Sequence, residues 1–538
     1  MAESFLAGRE HSAWQAVQGM DVPHLLEARA EQAPDHPFIV WCPSRDSSTT
    51  YSYSEIFEQA RRLAMGLSGN GVGVGDFVLL HMDNSPEFLV SWFACAFLGA
   101  VAVSTNTRAV ERDLLYFAEV TEPICALTQP RYAELLKRSC PQIRILGVTA
   151  SDAGVAVEDR DELPALTCTV AFESLFANEA IPIRTPNPAQ NLGVQFTSGT
   201  TSRPKAVLWT HANAIWGGRK SAQLFGLNSD DVTLVFLPLF HTNAQVYSML
   251  STLWSGGTII LLPRFSAPRF WSLCQQYGVT WTSMIPFSIR AILDQDVPDH
   301  RMRFWGLGAR VPDVESRFGV STLGYWGMTE TVTPAIAVDR HELGPALNIG
   351  RAVDGYDVEI RDGNGERCSA GETGNLYIRG VQGVSIFKEY YRNSAANEAA
   401  FDEQGWFDTG DIVRSDTNGW LYFCDRSKDM LRVGAENVAA SEIEAVLLHS
   451  GLVAECAVVG QPHAMLDEVP AAFLIPNVAG AELEESNFSA RILAHCEREL
   501  PDFKVPRTLR VVDELPRATL DKVAKNILRD SLPALAVD

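Results

Sequence analysis

The chain has 538 residues, 46% of them apolar, with 44 basic against 66 acidic side chains and a formal net charge of −22. One hydrophobic core stops growing near roughly 250–300 residues, so at least two domains are expected. A charge this negative opposes any sequence-independent grip on nucleic-acid backbones or anionic membrane surfaces, and excludes nucleic acid as the principal partner.

The first residues, with Glu3, Arg9, Glu10 and His11, lack the apolar run of a secretory signal. Ten scattered cysteines include no C-x-x-C pair, which argues against a zinc site or a disulfide framework and for reduced thiols in a cytoplasmic protein. Periodicity predicts a helix over 53–67, a turn at Gly71-Val72-Gly73-Val74-Gly75-Asp76, a strand over 77–81, a helix over 86–98 and a strand over 101–104. Residues 88–104 carry no charge, but the stretch is shorter than the ~20 residues of a membrane span and Gly99 divides it, so it reads as a buried helix feeding a buried strand. The alternation resumes with a strand at 232–237, a helix at 244–254, a strand at 258–262 and a helix at 269–277, which argues for parallel sheets covered on both faces. From 348 to 422 short strands broken by Asp362-Gly363-Asn364-Gly365, Ala370-Gly371 and Asn418-Gly419 suggest antiparallel sheet. After Asp425-Arg426-Ser427-Lys428-Asp429 about 110 residues carry apolar elements of their own, enough for an independent core.

Between an apolar run at 192–196 and a predicted strand at 206–210 stands Thr197-Ser198-Gly199-Thr200-Thr201-Ser202-Arg203-Pro204-Lys205. Hydroxyls and loop N–H groups donate to phosphate oxygens, Gly199 lets the backbone approach, and Lys205 offsets anionic charge. The spacing is not that of a Walker A loop. Taken alone, such a stretch is equally well a solvated turn.

Five further motifs follow in order: Pro238-Leu239-Phe240-His241-Thr242-Asn243; Tyr325-Trp326-Gly327-Met328-Thr329-Glu330; Phe407-Asp408-Thr409-Gly410-Asp411; Asp425 to Asp429 with Gly434-Ala435-Glu436-Asn437; and Leu515-Pro516-Arg517 leading to Lys522. Together, over roughly 25–529, they resemble the adenylate-forming superfamily of acyl-CoA synthetases, luciferases and peptide-synthetase adenylation domains. In Phe387-Lys388-Glu389-Tyr390-Tyr391 and Pro238 to Asn243 the resemblance is nearest to the carnitine or crotonobetaine and medium-chain branch of CoA ligases. It implies an α/β protein: an N-terminal domain, 1–425, of doubly wound sheets with an antiparallel β-barrel-like subdomain; a hinge at 426–428; and a small mobile α+β lid, 429–538.

The implied reaction joins a small-molecule carboxylate to coenzyme A. The ionised acid attacks the α-phosphorus of ATP without a general base, pyrophosphate leaves, and a thiol then displaces AMP from the acyl-adenylate. The alternative is transfer to a carrier-protein thiol or another acceptor instead of CoA. By resemblance, Thr197, Ser198, Gly199, Thr200, Thr201 and Lys205 hold phosphate, Trp326 stands where the family usually has a tyrosine stacked on adenine, Gly327 belongs to the same ATP site and Thr329 meets the α-phosphate. Glu330 and Thr200 would hold Mg²⁺, Asp411 and Arg426 the ribose, and Lys428 would be the hinge. Lys522 is the mobile catalytic lysine of the first step, and Gly434 and Ala435 lie on the CoA path. His241 lines the acyl pocket and positions substrate, with Asn243, Gly306, Gly308, Ala309, Arg310 and Thr333 around it. A buried Arg310 would pair with a second carboxylate on the acid; the alternative leaves it facing solvent or phosphate. A homodimer is left open.

Four family glycines are replaced, by Ser202, Ala206, Ala435 and Asp521. Where such a backbone needs positive φ, each replacement costs about 1 kcal/mol or more.

Overall fold

The computed structural model describes residues 10–156, 169–197, 204–426, 429–433, 436–463, 466–500, 502–517 and 523–533. By packing the chain divides into two units: residues 1–197, 205–357 and 379–406, and residues 198–204, 358–378 and 407–538.

Two large sheets build the first unit. The nine-stranded sheet runs Arg351–Ala352, Ile336–Ala337, Ser321–Trp326, Phe304–Leu307, Trp281–Ser283, Val232–Val235, Thr258–Leu261, Pro37–Trp41 and Thr49–Ser52. Its six central strands are parallel and the additions at both ends antiparallel. The eight-stranded sheet runs Glu389–Tyr390, Lys205–Thr210, Asn191–Thr197, Val101–Ser104, Phe77–His81, Cys125–Thr128, Ile145–Val148 and Thr169–Ala171. It is parallel from Asn191–Thr197 onward and antiparallel at the other edge.

The covering helices follow their end signals. Tyr53–Gly69 begins in a capping box, where the Glu55 N–H donates to Ser52 Oγ at 3.2 Å and the Ser52 N–H to Glu55 Oε2 at 2.7 Å. Pro86–Leu98 starts with Ser85 as N-cap and Pro86 at the first turn and stops at Gly99, whose φ of 78° suits glycine. Nearly every side chain of that helix is buried, so the uncharged stretch is core. No described helix is long and apolar enough to cross a membrane.

Two departures from the sequence reading bear on the site. Residues 243–250 form a π-helix, Asn243–Leu250, continued by the α-helix Ser251–Ser255. The facing helix His211–Phe225 makes room with two glycines: a Cβ at Gly217 would lie 2.5 Å from Val246 Cγ1, and one at Gly218 2.8 Å from the Leu250 carbonyl oxygen. Within the region read as antiparallel sheet, Glu389–Tyr390 instead extends the eight-stranded sheet. Ala206 sits in extended backbone paired with Phe196, so no left-handed cost arises there. Ser202, Ala435 and Asp521 lie outside the described residues.

In the second unit an antiparallel four-stranded sheet, Asp357–Arg361, Thr373–Arg379, Phe407–Ser415 and Leu421–Arg426, groups with the C-terminal segment, whereas the sequence reading put a boundary at 425. The strands Val453–His463 and Asp467–Pro476 are buried on both faces. Val458, Ala472 and Leu474 pack with Ile443, Leu447 and Ile492, while Ala457, Val459, Ala471 and Phe473 pack with Leu515 and Leu528. This is the period-two alternation of a strand with helices on both sides.

Candidate active site

The side chains singled out in the first unit lie where its parallel strands end, the usual place for ligands in open α/β sheets. Trp281–Ser283, Phe304–Leu307 and Ser321–Trp326 are neighbours. Tyr325 is buried, with its hydroxyl 3.1 Å from Ser283 Oγ and accepting from Asn243 Nδ2 at 3.0 Å. Its ring can cross the middle strand only because residue 306 is glycine: a Cβ there would be 2.8 Å from Tyr325 Cε1. At Gly308 a Cβ would meet nothing within 4 Å, so that side is open. Ala309 and the Arg310 N–H crowd Gly324 instead, where a Cβ would sit 2.7 Å from the Arg310 nitrogen.

Glu330 follows the strand Ser321–Trp326 and is buried, 3% exposed. Its Oε1 accepts from the Tyr390 hydroxyl at 2.9 Å, and its carbonyl from the Phe387 N–H at 2.8 Å. Burial raises the Tyr390 phenol well above its ordinary value and the Glu330 charge adds to this, so the phenol keeps its proton and donates. The Lys205 ammonium stands over the same ring, 4.5 Å from its centroid. Lys205 is in register with Thr197, so both ends of the hydroxyl-rich segment emerge side by side. Thr197 and Lys205 are thus brought together, and Tyr390 joins Lys205 to Glu330.

Thr329 is half-buried, with its carbonyl accepting from Trp209 Nε1 at 3.0 Å and its Oγ1 3.3 Å from Thr242 Oγ1. The chain then makes a tight γ-turn at Val332, φ 64° and ψ −50°, closed by the Thr333 N–H donating to the Thr331 carbonyl at 2.6 Å. A β-branched residue in that conformation is strained by about 1–3 kcal/mol. The turn buries Thr333, whose Oγ1 is 2.8 Å from Ser221 Oγ. Trp326 is 7% exposed at the end of its strand, and Gly327 is tightly enclosed: a Cβ there would be 2.5 Å from the Tyr247 hydroxyl. His241 is half-buried in a turn closed by its N–H on the Pro238 carbonyl at 3.0 Å, with its ring 4.6 Å from that of Phe240. Asn84, buried at the end of the eight-stranded sheet, fixes that turn: Nδ2 donates to the Leu237 and Leu262 carbonyls at 2.9 and 3.1 Å, and Oδ1 accepts from the Leu239 N–H at 2.8 Å.

Arg310 requires a correction. Its Nε and Nη2 donate to Glu315 at 3.1 and 2.8 Å, and Nη1 donates to the Gly344 carbonyl. Burial pushes the Glu315 carboxyl up, but hydrogen bonds from Arg310 and Thr322 outweigh it and hold the acid below its ordinary range. A fork engaged in this way braces the chain rather than awaiting a substrate carboxylate.

In the second unit Asp411 is 7% exposed on Phe407–Ser415. Its N–H donates to Thr409 Oγ1 at 3.1 Å, and Thr409 Oγ1 donates to the Leu376 carbonyl at 2.8 Å. With Gly410 at φ 69° these bonds kink the strand locally. Asp411 pairs in register with Arg426 of the neighbouring strand. Ser198, Gly199, Thr200, Thr201, Lys428, Gly434, Ala435 and Lys522 lie outside the described residues. Arg517 and Val523, which flank the Lys522 segment, form an antiparallel bridge, and the Ala524 N–H donates to the Pro516 carbonyl at 2.8 Å.

The sequence reading missed Tyr390, Tyr325, Ser283, Asn84 and Gln195 as site residues. Tyr390 belongs to the Phe387-Lys388-Glu389-Tyr390-Tyr391 stretch noted only as a branch signature, and Gln195 is the one polar side chain in an apolar run.

The sequence profile of AMP-binding enzymes matches residues 26–391, and that of the AMP-binding enzyme C-terminal domain matches 442–522, ending on Lys522. The chain belongs to the AMP-binding enzyme family. Among curated relatives, a crotonobetaine/carnitine–CoA ligase of Escherichia coli O7:K1 is 34% identical over 498 residues, which are 89% of this chain and 93% of the relative. Among solved structures, O-succinylbenzoate coenzyme A synthetase of Bacillus subtilis in complex with AMP superposes with TM-score 0.81 at 25% identity, over 95% of this chain and 99% of that one. ATP-bound MatB of Rhodopseudomonas palustris gives the same TM-score, identity and coverage. The motifs at 197–205, 238–243 and 325–330 fall within the larger AMP-binding match.

Proposed function

We propose that this AMP-binding enzyme is an ATP-dependent carboxylic acid–CoA ligase that forms an acyl-adenylate with release of pyrophosphate, then an acyl-CoA thioester with release of AMP. The observation that carries the reading is the buried Glu330 carboxylate, hydrogen-bonded by Tyr390 beneath the Lys205 ammonium and next to Thr329. It gathers an anion, a cation and a hydroxyl where the hydroxyl-rich segment begins.

A carboxylate substrate is ionised at pH 7 and needs no base; the difficulty is bringing it against a polyanion. Lys205 and Lys522 supply positive charge, and Thr197, Thr329 and the hydroxyls of 198–201 donate to phosphate oxygens. The donor set fits Mg²⁺, which prefers oxygen and is commonly held by one or two carboxylates with substrate phosphates completing the shell. Glu330 and Thr200 would hold it, and the bound ion would neutralise phosphate charge. Asp411 and Arg426 take the ribose. His241, Asn243, Gly306, Gly308, Ala309, Thr333 and Tyr325 shape the acyl pocket; with Arg310 committed to Glu315, this reading carries no second substrate carboxylate. Gly434 and Ala435 serve the CoA thiol, in a C-terminal lid, 429–538, that turns about Lys428.

The test is pyrophosphate release from ATP over a panel of carboxylic acids, with and without CoA. The reading expects acid-dependent pyrophosphate in both arms and acyl-CoA stoichiometric with AMP in the second. Pyrophosphate without CoA consumption would assign the acyl group to another acceptor such as a carrier-protein thiol, and no pyrophosphate with any acid would reject the reading.

A further inference from the structure

We propose that Gln195 is a positioning residue for the adenylate-forming step, acting through Thr242 on Thr329; this rests on the ligase reading above. Gln195 lies on Asn191–Thr197, two residues before the hydroxyl-rich segment, and is only 4% exposed. A buried amide is costly unless both its ends are paired. Here both are: Oε1 faces Thr242 Oγ1 at 2.8 Å and Nε2 faces Gln245 Oε1 at 2.8 Å. Thr242 Oγ1 in turn stands 3.3 Å from Thr329 Oγ1.

The consequence does not depend on which way the two amides are turned. Either polarity uses one donor and one acceptor of Gln195, joins Thr242 to Gln245, and leaves one buried amide atom of Gln245 without a hydrogen bond among the described residues. Three segments therefore meet at this one side chain: the strand entering the hydroxyl-rich segment, the turn and π-helix that carry His241 and Asn243, and the Thr329-Glu330 corner. The 3.3 Å hydroxyl pair is longer than a good O–H···O bond, so the Thr329 hydroxyl is held near its place yet stays available to a charged oxygen, a stronger acceptor. Without the Gln195 amide, the Thr242 hydroxyl loses its short partner and turns to Thr329, shifting the group that must meet the phosphate. Gln195 touches no reacting atom in this account; it sets where Thr329 stands.

The experiment separates the two half-reactions in wild type, Gln195→Met, Thr242→Val and the double variant. Pyrophosphate formation is measured with ATP and the acid most active in the panel, and thioester formation is measured from that acid's supplied adenylate and CoA. Gln195→Met is expected to slow pyrophosphate formation by about 10-fold or more, as for other losses of positioning, with thioester formation within about twofold of wild type. The double variant is expected to be no worse than the poorer single one, because both remove the same link. An unaffected first step, equal losses in both steps, or multiplicative losses in the double variant would each overturn the proposal. Should Gln195→Met not fold, Thr242→Val decides alone by the same split between steps. A wild-type enzyme that releases no pyrophosphate would reject the ligase reading itself, whereas an active wild type with an indifferent Gln195→Met rejects only this inference.

Discussion

The two sheets of the first unit contribute to the candidate site in different ways. The nine-stranded sheet offers uncharged groups at the ends of parallel strands: Ser283, Gly306 and Tyr325, set by the room a glycine leaves beside a phenol. The eight-stranded sheet offers its groups mainly through the antiparallel strands at its edge, Lys205 and Tyr390, with Gln195 on the strand beside them. These are groups that carry or orient charge. Glu330 joins the two, leaving the end of one sheet with its carboxylate hydrogen-bonded by a tyrosine of the other. On the proposed reading, acid selectivity and phosphate chemistry would be borne by separable pieces of framework. Changes on the first sheet should alter which acid is used, and changes at the edge of the second should alter how fast any acid reacts.

The junction gives the largest expected effect. Glu330→Gln keeps an oxygen for Tyr390 but removes the negative charge, and is expected to slow pyrophosphate formation by about 100-fold or more, the scale on which charge-organising groups act. A titration with Mg²⁺ should show a raised requirement; an unchanged rate and Mg²⁺ dependence would detach Glu330 from the chemistry. Tyr390→Phe is expected to be milder, about 10-fold, since it leaves the carboxylate and the aromatic face under Lys205 and removes one charge-assisted hydrogen bond. Its loss should be the same for every acid in the panel. A change in the ranking of acids would contradict the division between the sheets.

Much of this framework is legible in the sequence, for local reasons. The strands Phe77–His81 and Val101–Ser104 and the helix Pro86–Leu98 have the predicted bounds, because each is an apolar run punctuated by a helix cap or a glycine. What stays hidden lacks a local signal. Glu389–Tyr390 is a two-residue strand, too short for any periodicity, and its role exists only because the chain returns to Lys205–Thr210. The π-helix has the apolar pattern of an ordinary helix, and its wider turn depends on Gly217 and Gly218 of another helix. For Arg310 the sequence leaves a substrate carboxylate, solvent or phosphate as partners, because it does not say that Glu315, five residues on, faces it.

The first sheet is tested by Gly306→Ala. The added Cβ would sit 2.8 Å from Tyr325 Cε1, so the phenol must move and release Asn243 or Ser283. Overpacking of this kind costs about 1–3 kcal/mol, to be read in thermal or urea unfolding. Kinetically the ranking of acids is expected to change while the KM for ATP stays put; the opposite outcome would place Tyr325 on the nucleotide side. Arg310→Met supplies the contrast. It strips a half-buried carboxylate of its partner and should lower stability by about 1–3 kcal/mol with no change in acid ranking. A selective loss on dicarboxylates would restore Arg310 to the pocket.

The smallest effect lies away from the junction, in the acid limb of stability. His81 is fully buried on Phe77–His81, with Nδ1 2.9 Å from Thr105 Oγ1 and its ring edge-on to Tyr132, and burial pulls its pKa down to about 4. Burial lowers His211 to about 3, against the opposing pull of Asp21. A histidine depressed in the folded state is neutral there while the unfolded chain takes up a proton near pH 6.5, so stability is lost as the pH falls below that value. Each such histidine contributes a slope of about 1 kcal/mol per pH unit between roughly pH 6 and 4. Urea unfolding at a series of pH values should therefore show a steep acid limb, shallower by about one histidine's share in His81→Gln. Asp21 is held below its ordinary range despite burial, by hydrogen bonds from His24 and the Asn187 N–H and by the Arg184 charge, so its own loss comes only at lower pH. A limb unchanged in His81→Gln would mean that the buried ring takes up its proton as readily in the folded chain as in the unfolded one.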